Sequence, residues 1–241
     1  SIKEALRDAD FVQECASENY TLKTKLMNTI GKYAKHNAII SSSSSGLLPS
    51  RIYSKCKNPE RAIIGHPFNP VYMLPAVEIV PGKKTTKKYL NQANKFYKSI
   101  SMNPIMVKHE LPGYLSDRLQ EALWREGLHI ISEGHATTED LDRAIEDGPG
   151  LRWSLMGTFL TFHLAGGKNG MRHMLEQFGP ALKLPWTKLK APKLSKKLIN
   201  RLVEGTKKQS KGKSITKISN IRDAYLVELQ KLRKKYEKKL R

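Results

Sequence analysis

The fold class is decided around residues 61–80, which read RAIIGHPFNPVYMLPAVEIV. Two short apolar runs, at residues 61–65 and 76–80, have the length and the β-branched content of buried strands. Ionisable side chains interrupt this apolar pattern, because His66 directly follows the first run and Glu78 lies inside the second. The segment therefore predicts two strands of a sheet that carry chemically active groups.

The strand pattern recurs on both sides of this segment, and helical patterns alternate with it. Further strands are predicted at residues 9–14, 38–40 and 103–108, and helices at residues 20–34 and 85–99. Such alternation indicates an α/β domain with a mostly parallel sheet. Dinucleotide-binding sheets of this class usually carry a G-x-G-x-x-G turn after the first strand, and this sequence has none. If the domain is of that kind, its first βαβ unit is expected upstream of Ser1.

The pattern becomes helical throughout after the Pro112-Gly113 pair. Apolar side chains have helical spacing over residues 115–134, and residues 137–140 resemble the capping box that starts a helix. No strand pattern returns in the rest of the sequence. We therefore place a boundary between an α/β domain, residues 1–109, and an all-α domain, residues 110–241.

The composition excludes several classes of protein. Hydrophobic residues make up 39% and charged residues 27% of the 241-residue chain, as in soluble globular proteins. No apolar run approaches the roughly 18 residues of a membrane span, and the first residues lack the apolar core of a signal peptide. The two cysteines cannot form a disulfide framework. These features predict a cytoplasmic protein without a membrane segment.

The net charge of +21 lies mainly at the C-terminal end, since residues 187–241 hold 19 of the 43 basic and 4 of the 22 acidic residues. One interpretation is a patch that binds nucleic acid or another anionic surface. The other is a solvated helix above an apolar stripe at Ile221, Tyr225, Leu229 and Leu232. Few aromatic residues alternate with the lysines, which favours the helix. We therefore predict a basic C-terminal helix and no nucleic-acid partner.

Three polar residues, Glu14, Ser45 and His66, each follow a predicted strand. Ligands of open α/β sheets bind at the carboxyl ends of the strands, so these side chains are expected to meet at one crevice. Glu78 lies inside an apolar run, where a carboxylate needs a partner, and His66 is the nearest candidate. A His–Glu pair is a proton-transfer unit, in which the carboxylate fixes the tautomer of the imidazole.

Two other kinds of site are not indicated. The sequence has no G-x-S-x-G turn for a nucleophilic serine, and its His, Cys, Asp and Glu residues lack the spacing of a metal site. A histidine base beside a hydroxyl donor suits the deprotonation of an alcohol while hydride leaves its carbon. This combination favours a dehydrogenase.

Several motifs resemble those of the 3-hydroxyacyl-CoA dehydrogenase superfamily. They are Ala9-Asp-Phe-Val-Gln-Glu14, the polar loop at residues 41–46, Gly65-His-Pro-Phe-Asn-Pro70 and Val77-Glu-Ile79. Segments at residues 148–157, 159–167 and 177–189 are similar to the L-carnitine dehydrogenase branch of that superfamily. The likeness covers nearly the whole chain.

The resemblance implies a Rossmann-type NAD-binding domain over residues 1–109, preceded by about seventy further residues that would carry the glycine-rich turn. It also implies an all-α, 3-hydroxyacyl-CoA-dehydrogenase-like domain over residues 110–241, for substrate binding and dimerisation. NAD is then the cofactor, the substrate is a small molecule, and the chain forms a homodimer.

The resemblance also implies roles for individual residues. His66 matches the catalytic base, Glu78 its orienting carboxylate, and Ser45 the contact to the substrate hydroxyl and the nicotinamide. Asn69 matches a position that supports this geometry. The positions that contact the cofactor are matched by Glu14, Lys23 and Ser45.

Asp117 is a departure from the acyl-CoA branch, which has an Asn at this position. This difference puts an acyl-CoA substrate in doubt, and the carnitine-type sequences also have Asp here. The trimethylammonium group of carnitine has no N–H and is best held by aromatic faces, for which Phe68 is the first candidate. The other predicted substrate contacts are Asp117, Gly148, Trp153 and Phe178, with Arg152 for the substrate carboxylate.

The resemblance therefore predicts NAD-dependent oxidation of the 3-hydroxyl of L-carnitine to 3-dehydrocarnitine. L-Gulonate and 3-hydroxyacyl-CoA remain alternative substrates, because the same His–Glu pair would serve all three. A non-enzymatic, crystallin-like protein and a nucleic-acid-binding protein are the alternatives from other classes.

Overall fold

The computed structural model describes residues 1–155, 157–188, 193, 195–209, 211 and 213–240. The chain forms two compact units, Ser1–Glu121 and Ala122–Arg241. None of the helices within the described residues is long and apolar enough to cross a membrane.

The first unit is built on a five-stranded sheet in the order β1-β2-β3-β4-β5. The strands are β1 (Phe11–Glu14), β2 (Ile39–Ser42), β3 (Ala62–Pro67), β4 (Ala76–Pro81) and β5 (Asn103–Met106). Neighbouring strands are parallel except for β3 and β4, which are antiparallel. The predicted α/β fold with a mostly parallel sheet is confirmed.

Helices cover both faces of this sheet. They are α1 (Ile2–Arg7), α2 (Tyr20–Tyr33), α3 (Pro49–Ile52), α4 (Lys87–Ser99), the start of α5 (Ser116–Glu133) and a 3₁₀ turn at Pro59–Arg61. Helix α2 begins at Asn19, whose side chain accepts a hydrogen bond from the amide of Leu22. Helix α4 buries Tyr89, Ala93 and Tyr97, which recur every four residues on one face.

Each face of the sheet has its own apolar core. Successive side chains of a strand point to opposite faces, so Ile63 packs with α4 while Ile64 packs with α1, α2 and α3. Both isoleucines are fully buried. This two-sided burial explains why β3 is a continuous apolar run rather than an alternating one.

Strand β3 is longer than the sequence pattern predicts, and His66 lies inside it rather than after it. The antiparallel pairing with β4 extends the strand, because His66 pairs with Glu78 and Pro67 pairs with Val77. The two ionisable residues therefore face each other across neighbouring strands, where their side chains are within contact distance.

The second unit is helical in its described part, which confirms the second half of the predicted fold. Helix α6 (Thr138–Glu146) begins at the predicted capping box, in which Thr137 and Asp140 bond reciprocally. The helices that follow are α7 (Pro149–Trp153), α8 (Thr158–Ala165), α9 (Gly170–Phe178), α10 (Lys196–Gln209) and α11 (Ile215–Leu240), with 3₁₀ turns at Gly167–Asn169 and Gly179–Lys183.

Helix α11 is the expected basic helix, but its apolar stripe is not packed as predicted. Ile221, Tyr225 and Leu232 are exposed, and Leu229 is half-buried. Within the described part of the second unit, the stripe therefore faces outward and contributes little to the core of this chain.

Candidate active site

His66 and Glu78 form a buried pair at the end of β3. His66 Nδ1 lies 2.9 Å from Glu78 Oε2, and both side chains are buried. A carboxylate only accepts hydrogen bonds when it is ionised, so Nδ1 carries the proton and Nε2 has the free lone pair. The arrangement leaves Nε2 available to accept a proton.

The start of α5 holds the other oxygen of Glu78. The amides of Leu115 and Ser116 each donate to Glu78 Oε1 at 3.0 Å, and the Ser116 hydroxyl donates at 3.3 Å. Burial raises the pKa of Glu78, but the hydrogen bonds from His66 and these amides outweigh it, so the pKa falls below its ordinary value. Glu78 is therefore an anion fixed in one orientation.

The backbone just before His66 is held by a buried polar network. Gln13 Nε2 donates to the carbonyl of Gly65 at 3.2 Å, and the hydroxyl of Tyr97 donates to Gln13 Oε1 at 2.7 Å. Burial raises the pKa of Tyr97 to about 12, which keeps it a hydrogen-bond donor. Position 65 requires glycine, because a Cβ there would lie 1.9 Å from the Tyr97 hydroxyl oxygen.

The Pro112-Gly113 turn connects this site to the loop that follows β2. Gly113 has a φ of +71°, and its amide donates to the carbonyl of Gly46 at 3.3 Å. The fully buried Tyr114 donates through its hydroxyl to the carbonyl of Leu47 at 2.7 Å, and its ring lies 5.6 Å from the His66 ring. The loop carrying Ser45 is thereby hydrogen-bonded to the segment whose Tyr114 ring contacts the imidazole.

Glu18 organises the same loop from the other side. Its Oε1 accepts hydrogen bonds from the Ser44 hydroxyl at 2.5 Å, the Ser45 amide at 3.1 Å and the Gly46 amide at 3.3 Å. The Ser45 hydroxyl makes no hydrogen bond to the described residues and is exposed. The loop thus has a fixed backbone and presents a free hydroxyl group.

Glu14, at the end of β1, and Lys23, on α2, form a buried ion pair. Lys23 Nζ lies 2.9 and 3.1 Å from the two oxygens of Glu14 and donates to the carbonyl of Ala16 at 2.8 Å. The Lys23 side chain is only 1% exposed. The Ser42 hydroxyl also donates to Glu14. The structure therefore engages the Glu14 carboxylate in a buried ion pair instead of directing it to His66, because a buried charge needs a counter-charge.

The remaining predicted residues of the first unit lie around the imidazole. The Phe68 ring is 5.0 Å from the His66 ring, and Asn69 is exposed just beyond it. Asp117 Oδ2 lies 4.0 Å from His66 Nε2. Burial raises the pKa of Asp117, and the nearby His66 opposes that effect.

The other predicted substrate contacts belong to the second unit, and their role stays a prediction. Gly148 precedes α7, Arg152 and Trp153 lie on α7, and Phe178 ends α9. Gly148 also has a local reason to be glycine, because a Cβ would lie 2.5 Å from the carbonyl of Ala144.

The residues present suit the nicotinamide end of a dinucleotide. The parallel strands β1, β2 and β3 end side by side, and the exposed Ser45 hydroxyl lies in the loop that follows the middle one. No group of three or more His, Cys, Asp or Glu side chains among the described residues has the geometry of a metal site. A cofactor bound at these strand ends would find the free Ser45 hydroxyl in the loop after β2.

Sequence reasoning missed Glu18 and Tyr114. Glu18 stands directly before the helix cap Asn19, and Tyr114 follows a Pro-Gly pair, so both positions suggested only turn and helix boundaries. Their contacts join segments 26 to 67 residues apart in the chain. Local pattern carries no signal for such contacts.

Comparisons with known proteins identify the family of both parts of the chain. Residues 1–110 match the family model "3-hydroxyacyl-CoA dehydrogenase, NAD binding domain", and residues 113–213 match "3-hydroxyacyl-CoA dehydrogenase, C-terminal domain". L-carnitine dehydrogenase of Bacillus cereus is 53% identical over 235 residues, which are 98% of this chain and 72% of that protein. The enzyme of the same name from Pseudomonas aeruginosa is 52% identical over 94% of this chain and 71% of its own length.

Solved structures show the same fold. An NAD⁺-dependent dehydrogenase of a hydroxypyridine carboxylic acid superposes with a TM-score of 0.79 at 22% identity, covering 97% of this chain and 76% of that one. The 3-hydroxybutyryl-CoA dehydrogenase of Escherichia coli superposes with a TM-score of 0.62 at 25% identity, covering 87% of this chain and 43% of that one. The chain therefore belongs to the 3-hydroxyacyl-CoA dehydrogenase family, as an NAD-dependent 3-hydroxy dehydrogenase whose curated relatives are L-carnitine dehydrogenases.

Proposed function

We propose that this chain oxidises the 3-hydroxyl group of L-carnitine to 3-dehydrocarnitine. The observation that carries the reaction is the buried His66–Glu78 pair at 2.9 Å, with Nε2 left free. The observation that supports the substrate is the identity of about half, over nearly the whole chain, with relatives named L-carnitine dehydrogenase.

His66 is the proton acceptor in this proposal. It accepts the hydroxyl proton at Nε2, because Nδ1 already donates to Glu78. Glu78 stabilises the resulting imidazolium, and the amides at the start of α5 keep that carboxylate from rotating. NAD supplies the acceptor for the hydride that leaves the same carbon.

Ser45 orients the substrate hydroxyl toward His66, since its own hydroxyl is free and the loop backbone is fixed. Asn69, exposed beyond Phe68, supports this geometry. Glu14 and Lys23 act with Ser45 at the cofactor side, where their buried ion pair stabilises the end of β1 below the loop.

Aromatic faces bind the trimethylammonium group, because a quaternary nitrogen offers no N–H for a hydrogen bond. Phe68 is the first such face, as its ring lies 5.0 Å from that of His66. The other predicted substrate contacts remain part of the proposal: Trp153 and Phe178 as further aromatic faces, Gly148, and Arg152 as the bidentate partner of the substrate carboxylate.

We also propose that the chain acts as a cytoplasmic homodimer. Large apolar side chains of the second unit are exposed, among them Phe159 at 80% and Leu182 at 83%. Clustered exposed apolar residues mark association surfaces in soluble proteins. The two free cysteines, Cys15 and Cys56, are compatible with a reducing compartment.

Initial rates of NADH formation test the substrate. We expect kcat/KM for L-carnitine to exceed that for L-gulonate and for 3-hydroxybutyryl-CoA by about a hundredfold or more. The rates are measured on the 241-residue chain and on a version that carries a glycine-rich βαβ segment of a relative ahead of Ser1. A higher kcat/KM on one of the other two substrates would contradict the carnitine assignment while leaving the dehydrogenase chemistry intact.

Replacing Glu18 by Ala is expected to lower kcat by about tenfold to a hundredfold, because three donors of the Ser44–Gly46 segment lose their acceptor. The matched variant Glu18→Gln retains a carbonyl oxygen and is expected to stay within about threefold of the unmodified chain. An unchanged kcat in Glu18→Ala, with the thermal midpoint also unchanged, would show that the loop does not depend on this residue.

A further inference from the structure

Asp117 is the one predicted substrate contact whose carboxylate lies beside the reactive nitrogen. Its Oδ2 is 4.0 Å from His66 Nε2, and about one-third of the side chain (32%) is exposed. Apart from this long ion pair, it accepts no hydrogen bond from the described residues. Glu78, in contrast, is fully buried, and both of its oxygens accept hydrogen bonds from His66, Leu115 or Ser116. Asp117 therefore has acceptor capacity directed at the space in front of the imidazole.

The surroundings of Asp117 are acidic and aromatic. Burial raises the pKa of Asp117 most, and His66 acts in the opposite direction. Glu78, Glu121 and Glu18 raise that pKa further through their charges. Phe68, which directly follows β3, packs its ring against the His66 ring. An aromatic ring and a free carboxylate that both lie within about 5 Å of the same imidazole form a suitable environment for a cation without N–H groups.

The chemistry of the substrate places its cation close to this carboxylate. In carnitine, a single methylene group separates the carbon that bears the hydroxyl from the trimethylammonium nitrogen on one side and from the carboxylate on the other. The Asp117 carboxylate repels the anionic end, so the cationic end binds on its side. When that hydroxyl is bound at His66 Nε2, the cation lies within a few ångströms of the same nitrogen, at a distance comparable to that of Asp117. A substrate with an anionic or merely apolar group at this place gains nothing from the carboxylate, and an anion is repelled.

We propose that Asp117 determines the charge specificity of the site, by attracting a cationic group one methylene away from the oxidised carbon and repelling an anionic one. This inference rests on the proposed function and names the residue that distinguishes carnitine from other 3-hydroxy acids. Asp117 acts on the ground state and the transition state alike, so its contribution falls mainly on KM.

The test compares L-carnitine with its neutral carbon isostere, 3-hydroxy-5,5-dimethylhexanoate, in which a tert-butyl group replaces trimethylammonium. We expect the unmodified chain to prefer L-carnitine by about a hundredfold in kcat/KM, and Asp117→Asn to reduce this preference to about threefold or less. The change should appear as a raised KM for L-carnitine and little change for the isostere. Asp8→Asn, which makes the same chemical change at an exposed carboxylate of the first unit, should keep the preference.

Binding of the two deoxy compounds, 4-trimethylammoniobutyrate and 5,5-dimethylhexanoate, gives a readout that does not depend on turnover. Calorimetry should show the same loss of preference in Asp117→Asn. If Asp117→Asn lowers kcat/KM for both hydroxy acids equally and leaves the binding preference intact, Asp117 acts only through His66 and the proposal is wrong. If the unmodified chain oxidises neither compound but still binds the cation preferentially through Asp117, the proposed reaction fails while the charge specificity stands.

Discussion

His66→Ala is expected to lower kcat for L-carnitine oxidation by about a thousandfold. A positioned general base contributes on the order of a hundredfold to ten-thousandfold to such a reaction. In this chain the base is oriented by a buried carboxylate that accepts from Nδ1 at 2.9 Å, and the alanine variant has no imidazole for that carboxylate to orient. The measurement is the initial rate of NADH formation at saturating L-carnitine.

His36→Ala is the matched control, because His36 is exposed in the turn between α2 and β2 and the variant loses the same side chain. It should keep the full rate. Thermal midpoints of both variants separate lost chemistry from lost folding. A His66→Ala variant that keeps more than about one-tenth of the rate would remove His66 from the reaction, and with it the pair on which the proposed function depends.

Lys23→Met is expected to lower the free energy of unfolding by about 3–5 kcal/mol, because it leaves the Glu14 carboxylate buried without its counter-charge. Lys23 and Glu14 are almost completely buried, and Lys23 Nζ also donates to the carbonyl of Ala16. Urea unfolding in the absence of NAD measures the effect, which separates the stability of the pair from any contact with the cofactor.

The exposed pair of Lys35 and Asp10, 3.0 Å apart, is the matched control for this prediction. Lys35→Met should cost less than about 1 kcal/mol, because solvent screens an exposed ion pair. The double variant with Lys23→Met and Glu14→Gln should recover part of the loss, since no unpaired charge remains. A loss below about 1 kcal/mol for Lys23→Met alone would contradict the buried ion pair.

Lys23 also illustrates where local reasoning about a single residue is wrong. A lysine on a helix is usually solvated, and its position on α2 gave no reason to expect burial. The structure buries it because Glu14 ends β1 directly below, and each charge compensates the other. In the sequence, Glu14 and Lys23 are nine positions apart and no local pattern connects them. They become neighbours only because β1 is followed by α2, which brings the lysine back to the end of the strand.

The expected convergence of Glu14, Ser45 and His66 is only partly what the structure shows. The loop that carries Ser45 is hydrogen-bonded to Gly113 and Tyr114, and the Tyr114 ring contacts His66. Glu14 instead engages Lys23 and Ser42. The rule that polar residues at strand ends share a crevice correctly identifies the edge of the sheet that carries these residues. It does not predict the orientation of a charged side chain such as Glu14, because a buried charge pairs with a counter-charge.

The sequence by itself determined the α/β domain followed by helices, the positions of the five strands to within a few residues, and the choice of His66 and Glu78 as a pair. These follow from apolar runs, helical spacing and charges that interrupt an apolar strand, which are all local features. The tertiary structure alone decided the antiparallel register that sets His66 opposite Glu78, the helix start that holds Glu78, and the place of Asp117 at Nε2. Strand register and side-chain partners depend on contacts between distant segments, whose free energy no local pattern contains.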